Sequence, residues 1–269
     1  MAASDVPHLL VLGGAMRSGT TLLRRLIDSH SQVRLMAREL RALRYVDLAT
    51  WAHVAAVGKH FASDRESVRH KEFRGQVFRY LSHVSRGVRL RELVTVDRVH
   101  SALVVALDDA NMRYVGDKYP DYVLQYAQFI HRPNTRCVFV YRDARDVVAS
   151  LVERIQRGPW QGRKWTTKYD SVEKATEYWL HVMQVLCDVR RLETNALVVR
   201  YEDLVLRTAE TIAAIARHLQ LPEDEFDSHL PDPSSIGRYG TRLGRDQIQT
   251  IEHRAGAMMQ AWGYAIDRA

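Results

Sequence analysis

The chain has 269 residues, of which 46% are hydrophobic and 26% are charged, a balance typical of a folded globular protein that excludes an extended disordered chain. Lysine and arginine number 39 against 32 acidic residues, so the formal net charge is +7 and an anionic partner is expected. The basic residues are scattered along the chain, which favours a small anionic ligand over a nucleic acid.

The ends and the cysteines give expectations about location. Cys137 and Cys187 are too few for a disulfide framework or a structural zinc site, which is typical of a reducing compartment. The N-terminus lacks the basic region of a signal peptide, and no window approaches the ~20 apolar residues of a membrane span. We therefore expect one soluble, cytoplasmic domain over residues 1–269, without a membrane span.

The first predicted elements are a strand, a glycine-rich turn and a helix. The apolar run HLLVL at 8–12 ends in glycine, as a buried parallel strand does. From 20 to 29 the leucines and isoleucine fall on one face of a helix, with the charged residues on the other. This order of elements is that of a phosphate-binding loop.

The later elements continue the alternation of strands and helices. Further strands are predicted at 32–36, 113–117, 136–141 and 196–201, and helical stretches at roughly 40–110, 171–194 and 205–219. Asp170 and Glu173 have capping-box spacing at the start of the second stretch. The alternation predicts an α/β protein: a P-loop-like three-layer fold with a central parallel sheet flanked by helices.

The glycine-rich turn departs from the loop of nucleoside triphosphatases. The pattern G-x-x-x-x-G runs from Gly14 to Gly19, but Thr20 follows where those enzymes carry lysine. Backbone amides, hydroxyl groups and one guanidinium still complete an anion site without that lysine. The residues that would form it are Arg17, Ser18, Gly19, Thr20 and Thr21.

A second anion site is predicted where the strand at 136–141 ends. Arg142 stands there, at a position where a magnesium nucleotide site would want a carboxylate. Asp143 can cap a helix, and Ser150 lies two turns along it, on roughly the side of Arg142. The alternative is that this arginine and serine are merely solvated at a strand end.

Three motifs in order carry a family resemblance: RSGTTLLR at 17–24, RDARDVVAS at 142–150 and VVRYEDL at 198–204. Together they resemble the sulfotransferases that use 3'-phosphoadenosine 5'-phosphosulfate (PAPS), over residues 9 to about 265. SSIGRYGTRLG, at 234–244, is more similar to the tyrosylprotein and carbohydrate branch. The resemblance implies that the first motif binds the 5'-phosphosulfate, that the second binds the 3'-phosphate, and that adenosine 3',5'-bisphosphate (PAP) is the product, without a metal.

The resemblance also implies roles for single residues. Arg17 and Lys118, the latter in GDKYP, would stabilise the transferring sulfuryl group, and Glu39 would act as general base. Tyr201 and Arg238 would contact the nucleotide. The alternatives are a solvated turn lysine, a helix-surface glutamate paired with neighbouring arginines, a packed strand-end tyrosine and a plain loop cation.

The segment 154–170 is predicted to be a surface loop or lid that shapes the acceptor site. Its aromatic residues Trp160, Trp165 and Tyr169, with Arg163 and Lys164 beside them, suit an acidic acceptor. The equal alternative is that these aromatic side chains pack the loop onto the body of the protein. The acceptor hydroxyl, on a small molecule or a peptide, stays open among sugar, lipid, peptide tyrosine and secondary metabolite, and a homodimer is one expected state.

Two other functions remain as alternatives. A P-loop nucleotide kinase or triphosphatase would need the missing lysine and a magnesium carboxylate, and predicts metal-dependent binding of ATP. A non-catalytic module that binds nucleotides or other polyanions would fit the basic balance. It predicts that substitution of Lys118 or Glu39 changes nothing measurable.

Overall fold

A computed structural model describes residues 6–86, 89, 91–108, 112–158, 160–192 and 195–266. Pro159 of the predicted loop, positions 87, 88, 90, 109 and 110 of the first predicted helical stretch, and positions 193–194 of the second lie outside the described residues. The strands are β1 (His8–Gly14), β2 (Val33–Leu35), β3 (Tyr114–Lys118), β4 (Thr135–Tyr141) and β5 (Ala196–Arg200). The α-helices are α1 (Thr20–Asp28), α2 (Thr50–Ser63), α3 (Arg65–Arg69), α4 (Lys71–Ser85), α5 (Val96–Leu107), α6 (Ala144–Gln156), α7 (Val172–Arg191), α8 (Tyr201–Leu206), α9 (Thr208–Leu219) and α10 (Arg245–Ala261).

The five strands form one parallel sheet in the order β2-β3-β1-β4-β5. Strand β1 is central, with Leu12 opposite Lys118 of β3 and Gly14 opposite Val140 of β4. The predicted strands agree with the observed ones to within two residues. The expected central parallel sheet flanked by helices is therefore confirmed.

Alternate residues of β1 explain why helices cover both faces of the sheet. Leu9 and Val11 pack into one hydrophobic cluster, while Leu10 and Leu12 pack into the other. The first cluster includes buried residues of α2, α4–α7 and α10, and the second includes those of α1, α8 and α9. A strand buried on both faces is a continuous apolar run, as HLLVL is.

The predicted helical stretch at 40–110 is wrong in its continuity. It divides into the 3₁₀ helix Ala42–Tyr45 and the four helices α2 to α5. Asp64 caps α3 by accepting a hydrogen bond from the amide of Glu66, and Thr95 caps α5 by accepting one from the amide of Arg98. Capping side chains therefore set new helix starts inside this stretch.

Two further boundaries differ from the sequence prediction. Ser171, and not Asp170, caps α7, because the Ser171 hydroxyl accepts from the amide of Lys174, while Asp170 forms an ion pair with the Lys174 ammonium at 2.8 Å. The stretch at 205–219 is the end of α8 and the whole of α9, separated at Arg207. Within the described residues, no helix combines the length and the apolar character that crossing a membrane requires.

Candidate functional site

The candidate site lies at the carboxyl edge of the sheet. Lys118 is the last residue of β3, Arg142 follows β4 and Tyr201 follows β5, while the glycine-rich loop follows β1. The carboxyl ends of parallel strands meet at one edge, and ligands of open α/β sheets bind there. The fold thus brings the motifs, which are far apart in sequence, to one place.

Gly19 gives the loop an open backbone at the start of α1. Its φ of 95° lies in the left-handed region, and a Cβ at this position would collide with the ring of Tyr201. No side chain caps α1 at Gly19, so none of the first-turn amides is taken by a cap. Such amides and the positive end of the helix dipole favour an anion.

The three hydroxyl groups of the loop have different surroundings. Ser18 is fully buried, and its Oγ donates to the carbonyl of Ala15 at 2.5 Å and lies 3.1 Å from that of Val140. Its single proton therefore closes the loop on itself at Ala15, beside the end of β4. Thr20 is buried at the first position of α1, while Thr21 is exposed. The expected role of these hydroxyl groups in anion binding stays a prediction.

Arg17 joins the first motif to the second. Its backbone is left-handed, with φ of 69°, and its Nε donates to the hydroxyl of Ser150 at 3.0 Å. Burial, together with the positive charges of Arg154, Arg142 and Arg242, lowers the pKa of Arg17 to about 10. An anion bound among these guanidinium groups would relieve their repulsion.

Arg142 is nearly buried, with 7% of its surface exposed, and it stacks on an aromatic ring. Its guanidinium carbon lies 4.4 Å from the ring centroid of Tyr201, and its Nη2 donates to Asp146 at 2.9 Å. Among the described residues, no acceptor bonds the buried Nε of Arg142. A buried donor without a partner is unfavourable, so this nitrogen fits an anionic ligand.

The Asp146 carboxylate also holds the segment that carries Arg238. It accepts hydrogen bonds from the amides of Gly237 at 2.9 Å and Tyr239 at 3.0 Å. Arg238 itself is exposed, and its Nε donates to the carbonyl of Ser234 at 2.9 Å. The segment is therefore fixed beside Arg142, while the nucleotide contact expected of Arg238 stays a prediction.

Lys118 and Glu39, which the resemblance placed at the reaction, are in direct contact. Lys118 has only 6% of its surface exposed, and its Nζ lies 2.6 Å from Glu39 Oε1 and 3.4 Å from Thr21 Oγ1. Lys118 is thus not a solvated turn lysine. Glu39 lies in an irregular segment and not on a helix, and it also pairs with Arg41 at 3.2 Å.

The surrounding charges keep Glu39 ionised. Burial alone would raise the pKa of this carboxyl group, but the charges and hydrogen bonds of Lys118 and Arg41 outweigh burial and hold its pKa below the ordinary value. Nε2 of His60 lies 3.2 Å from the Glu39 carbonyl oxygen, and burial lowers the pKa of His60 to about 4. Near neutral pH, a carboxylate able to accept a proton therefore stands beside a buried ammonium.

Sequence reasoning missed Arg154 as a member of this site. It lies one helical turn beyond Ser150 on α6, and its guanidinium carbon is 4.8 Å from the ring centroid of Trp160. Its buried Nε has no hydrogen-bond acceptor among the described residues. The four-residue spacing from Ser150 was the available signal, because residues i and i+4 share a helix face.

The segment 154–170 is partly helical and partly packed on the body. Helix α6 continues to Gln156, and Lys164–Lys168 forms a 3₁₀ helix. Trp160 packs against the core. Trp165 makes an edge contact with the Trp160 ring, but 45% of its surface is exposed. Tyr169 packs edge-on against Tyr178 with centroids 5.0 Å apart. Packing therefore accounts for two of the three aromatic residues, and the lid role stays a prediction.

Cations also flank the opposite side of Glu39. The guanidinium of Arg41 lies 4.5 Å from the ring centroid of Tyr119, and Arg44 donates to the Tyr119 hydroxyl at 2.6 Å. Arg44 is exposed. Arg41, which pairs with Glu39, and the exposed Arg44 therefore share the Tyr119 ring, whose hydroxyl also contacts Asp121.

The acidic residue nearest the end of β4 is already occupied. Both oxygens of Asp143 accept from the guanidinium of Arg145, the closer contact being 2.7 Å, and one of them also caps α6. In the ranges that the structure describes, no three His, Cys, Asp or Glu side chains are grouped as metal ligands.

Comparison with known sequences gives a family match and two relatives. The model of the Sulfotransferase family matches residues 8–225. The chain is 24% identical over 249 residues to a protein-tyrosine sulfotransferase of Drosophila melanogaster, covering 89% of this chain and 44% of the relative. It is 27% identical over 252 residues to protein-tyrosine sulfotransferase 2 of Gallus gallus, and the match covers 91% of this chain and 60% of that relative. The chain thus spans about half the length of these relatives.

Comparison with solved structures gives the same fold. The sulfotransferase domain of the Synechococcus PCC 7002 olefin synthase has a TM-score of 0.64 at 16% identity, over 99% of this chain and 98% of that one. The sulfotransferase domain from the curacin biosynthetic pathway has a TM-score of 0.58 at 17% identity, over 98% of this chain and 100% of that one.

Proposed function

The chain belongs to the sulfotransferase family, and from this membership we propose that it transfers the sulfuryl group of PAPS to a hydroxyl of an acceptor, releasing PAP. The resemblance drawn from the three sequence motifs is confirmed at the level of the family.

One observation carries the proposal: the Tyr201 ring lies between the two anion-binding motifs. Its edge meets the backbone of Gly19 in the first motif, and its face meets the guanidinium of Arg142 in the second. A ligand with two separated anionic groups would therefore contact both motifs at once. PAPS is such a ligand, because its 3'-phosphate and 5'-phosphosulfate are carried by one ribose.

The residues present fit this donor. Arg17, with the amides and hydroxyl groups of Gly19, Thr20 and Thr21, would hold the 5'-phosphosulfate at the start of α1. The 3'-phosphate would lie against the second motif, with additional charge from the segment 235–239. The residues proposed for that second group are Arg142, Ser150, Arg154, Tyr201 and Arg238. The unpaired Nε atoms of Arg142 and Arg154 support this arrangement.

The same geometry suits direct transfer of the sulfuryl group. The donor supplies an activated sulfuryl group: its bond to the phosphate oxygen breaks while a bond from sulfur to the acceptor oxygen forms. Arg17 and Lys118 would neutralise the negative charge that develops on the bridging oxygen. Glu39, held ionised beside Lys118, would take the acceptor proton, so that the products are PAP and a sulfate ester.

The acceptor is proposed only as a hydroxyl compound. Arg41 and Arg44 beside Glu39 favour one with an anionic group near that hydroxyl. The two relatives are named protein-tyrosine sulfotransferases, which makes tyrosine peptides with acidic flanks the first acceptors to test, ahead of sugars, lipids and secondary metabolites.

Calorimetric titration with PAP in the presence of a chelator tests the donor site. We expect metal-independent binding by the wild type and a loss of affinity of at least about tenfold in Arg142→Ala, because a charge-assisted contact is removed. Arg217→Ala is the matched control, because Arg217 is exposed in the last turn of α9. Labelled PAPS would then be used to screen acceptors.

The alternatives predict different results in the same titrations. Binding of ATP that requires magnesium, with no binding of PAP, would replace the proposal by a kinase or triphosphatase. Equal loss in Arg142→Ala and Arg217→Ala would indicate binding by overall charge, as in a polyanion-binding module.

A further inference from the structure

Asp117 is a buried carboxylate at the end of β3, immediately before Lys118. None of its surface is exposed. Its Oδ1 accepts from the amides of Leu40 at 3.2 Å and Lys118 at 2.9 Å, and its Oδ2 accepts from the amide of Arg41 at 2.9 Å and the hydroxyl of Tyr122 at 2.6 Å. One side chain thus binds the backbone on both sides of the Glu39–Lys118 pair.

The segment that carries Glu39 has no regular structure of its own to hold it. Residues 39 to 41 lie in neither helix nor strand, and Arg41 has a left-handed φ of 59°. Leu40 is buried, so its amide must find a partner inside the protein. The Asp117 carboxylate supplies that partner, and it also satisfies the next amide.

The charge of Asp117 is costly where it lies. Among the described residues its four hydrogen-bond donors are all uncharged, namely three amides and a phenol. Burial, together with the charge of the nearby Glu39 carboxylate, raises its pKa to about 6. A buried charge that is balanced by neutral donors alone lowers stability, and such groups concentrate at functional sites.

We propose that Asp117 is the positioning residue that fixes Glu39 against Lys118. The proposal rests on the proposed function for the role of that pair in proton transfer. Asp117 itself touches neither reacting atom: it acts by tying the amides of residues 40 and 41 to the strand end that carries Lys118. An acceptor hydroxyl then meets a carboxylate whose place is set before binding.

Substitution by asparagine separates this role from simple packing. The Asp117→Asn side chain keeps the volume but replaces one acceptor oxygen by an NH₂ group. Whichever way the amide turns, that NH₂ faces backbone N–H donors, on the side of Leu40 or on that of Arg41. Tyr122→Phe is the matched control, because it removes one hydrogen bond from the same carboxylate and leaves the three backbone bonds intact.

The direct test is a ¹³C NMR titration of the Glu39 carboxyl group, assigned with Glu39→Gln. The groups around this carboxyl group are Lys118, Arg41, His60 and Asp117. We expect a pKa below the ordinary value in the wild type and in Tyr122→Phe, and a rise towards that value in Asp117→Asn as Glu39 moves away from Lys118. An unchanged Glu39 midpoint in Asp117→Asn, or an equal rise in Tyr122→Phe, would overturn the proposal.

Two further readouts keep the positioning role separate from the proposed function. Asp117→Asn should lower kcat by about 100-fold, as a misplaced catalytic group does, and leave the PAP affinity unchanged, because Arg142 and Ser150 are untouched. The NMR result stands even if the wild type binds no PAP. If thermal unfolding shows that Asp117→Asn does not fold, Asp117→Ser takes its place. The same rise of the Glu39 pKa is then expected in Asp117→Ser, and an unchanged pKa would overturn the proposal.

Discussion

The Nζ of Lys118 lies 2.6 Å from Oε1 of Glu39, although 79 residues separate the two in sequence. Lys118 ends β3, and Glu39 lies in the irregular segment that follows β2, the neighbouring strand. The contact joins the two groups that the proposed reaction needs, a cation for the transferring group and a base for the acceptor. It also means that removal of Glu39 takes from the buried Lys118 ammonium its carboxylate partner, whereas removal of Lys118 leaves Glu39 paired with Arg41.

Replacing Glu39 by glutamine should separate catalysis from donor binding. Glu39→Gln keeps the volume but removes the base, so kcat should fall by about 10²–10⁴-fold, while the Kd for PAP changes little. Rates would be measured with the acceptor found in the screen. Glu210→Gln is the control: it changes an exposed surface pair with Arg207, and its kcat and Kd for PAP should equal those of the wild type. A Glu39→Gln variant that keeps full activity would remove Glu39 from the reaction.

Gly19 should tolerate no side chain. Gly19→Ala combines a left-handed φ with a collision against Tyr201, so we expect a loss of roughly 2–5 kcal/mol in unfolding free energy and weaker PAP binding. Gly162→Ala is the control, since Gly162 has a φ of 73° but open space around it. It should lose only about 1–2 kcal/mol. Urea denaturation measures both, and equal losses would contradict the packing of Tyr201 on the loop.

Asp146 should govern the segment 235–239. In Asp146→Asn the carboxylate no longer balances Arg142, and one of the bonds to the amides of Gly237 and Tyr239 is weakened. We expect faster hydrogen exchange at both amides and a PAP affinity lower by about tenfold or more. Asp232→Asn changes an exposed cap in the same region and should affect neither. Unchanged exchange in Asp146→Asn would show that the segment is held by other contacts.

Asp117 should make stability depend on pH. Its pKa is raised from 3.8 to about 6 in the folded protein, so proton binding favours the fold below pH 3.8, and this contribution is lost as the pH rises through about 6. Relative to that of Asp117→Asn, the unfolding free energy of the wild type should fall by roughly 3 kcal/mol across that window. The difference between the two proteins should stay constant above about pH 7. Denaturation at pH 4, 5, 6 and 7 measures this difference. A constant difference would mean that Asp117 titrates normally.

The sequence predicted the sheet better than it predicted the helices. All the strands except β2 are apolar runs closed by glycine or a charged residue, a pattern that can be recognised locally. Two of the helices between 40 and 110, α3 and α5, begin at the side-chain caps Asp64 and Thr95, and α10 was not predicted, although Gly244 and Gln247 have the spacing of its capping interaction. Capping depends on single side chains, so a periodicity argument overlooks it.

The site was predictable where a motif gives a backbone shape, and less so where contacts come from elsewhere in the chain. The loop at Gly19 and the strand-end position of Arg142 follow from local pattern. Asp117 and Asp146 were overlooked, because their roles depend on amides 76 to 93 residues away. The sheet order brings Asp117 to the segment after β2, and the packing of the segment 235–239 on α6 brings its amides to Asp146.

The order of the strands divides the chain at β1. Glu39 and Lys118 come from the stretch between β1 and the end of β3, whereas Arg142, Ser150 and Tyr201 all come from β4 onward. In the proposed reaction, Glu39 and Lys118 are thus encoded before β4, the residues proposed for the 3'-phosphate are encoded from β4 onward, and the glycine-rich loop serves both. A chimaera that exchanges residues 36–112 for those of another member would therefore alter acceptor choice while inheriting the donor site intact.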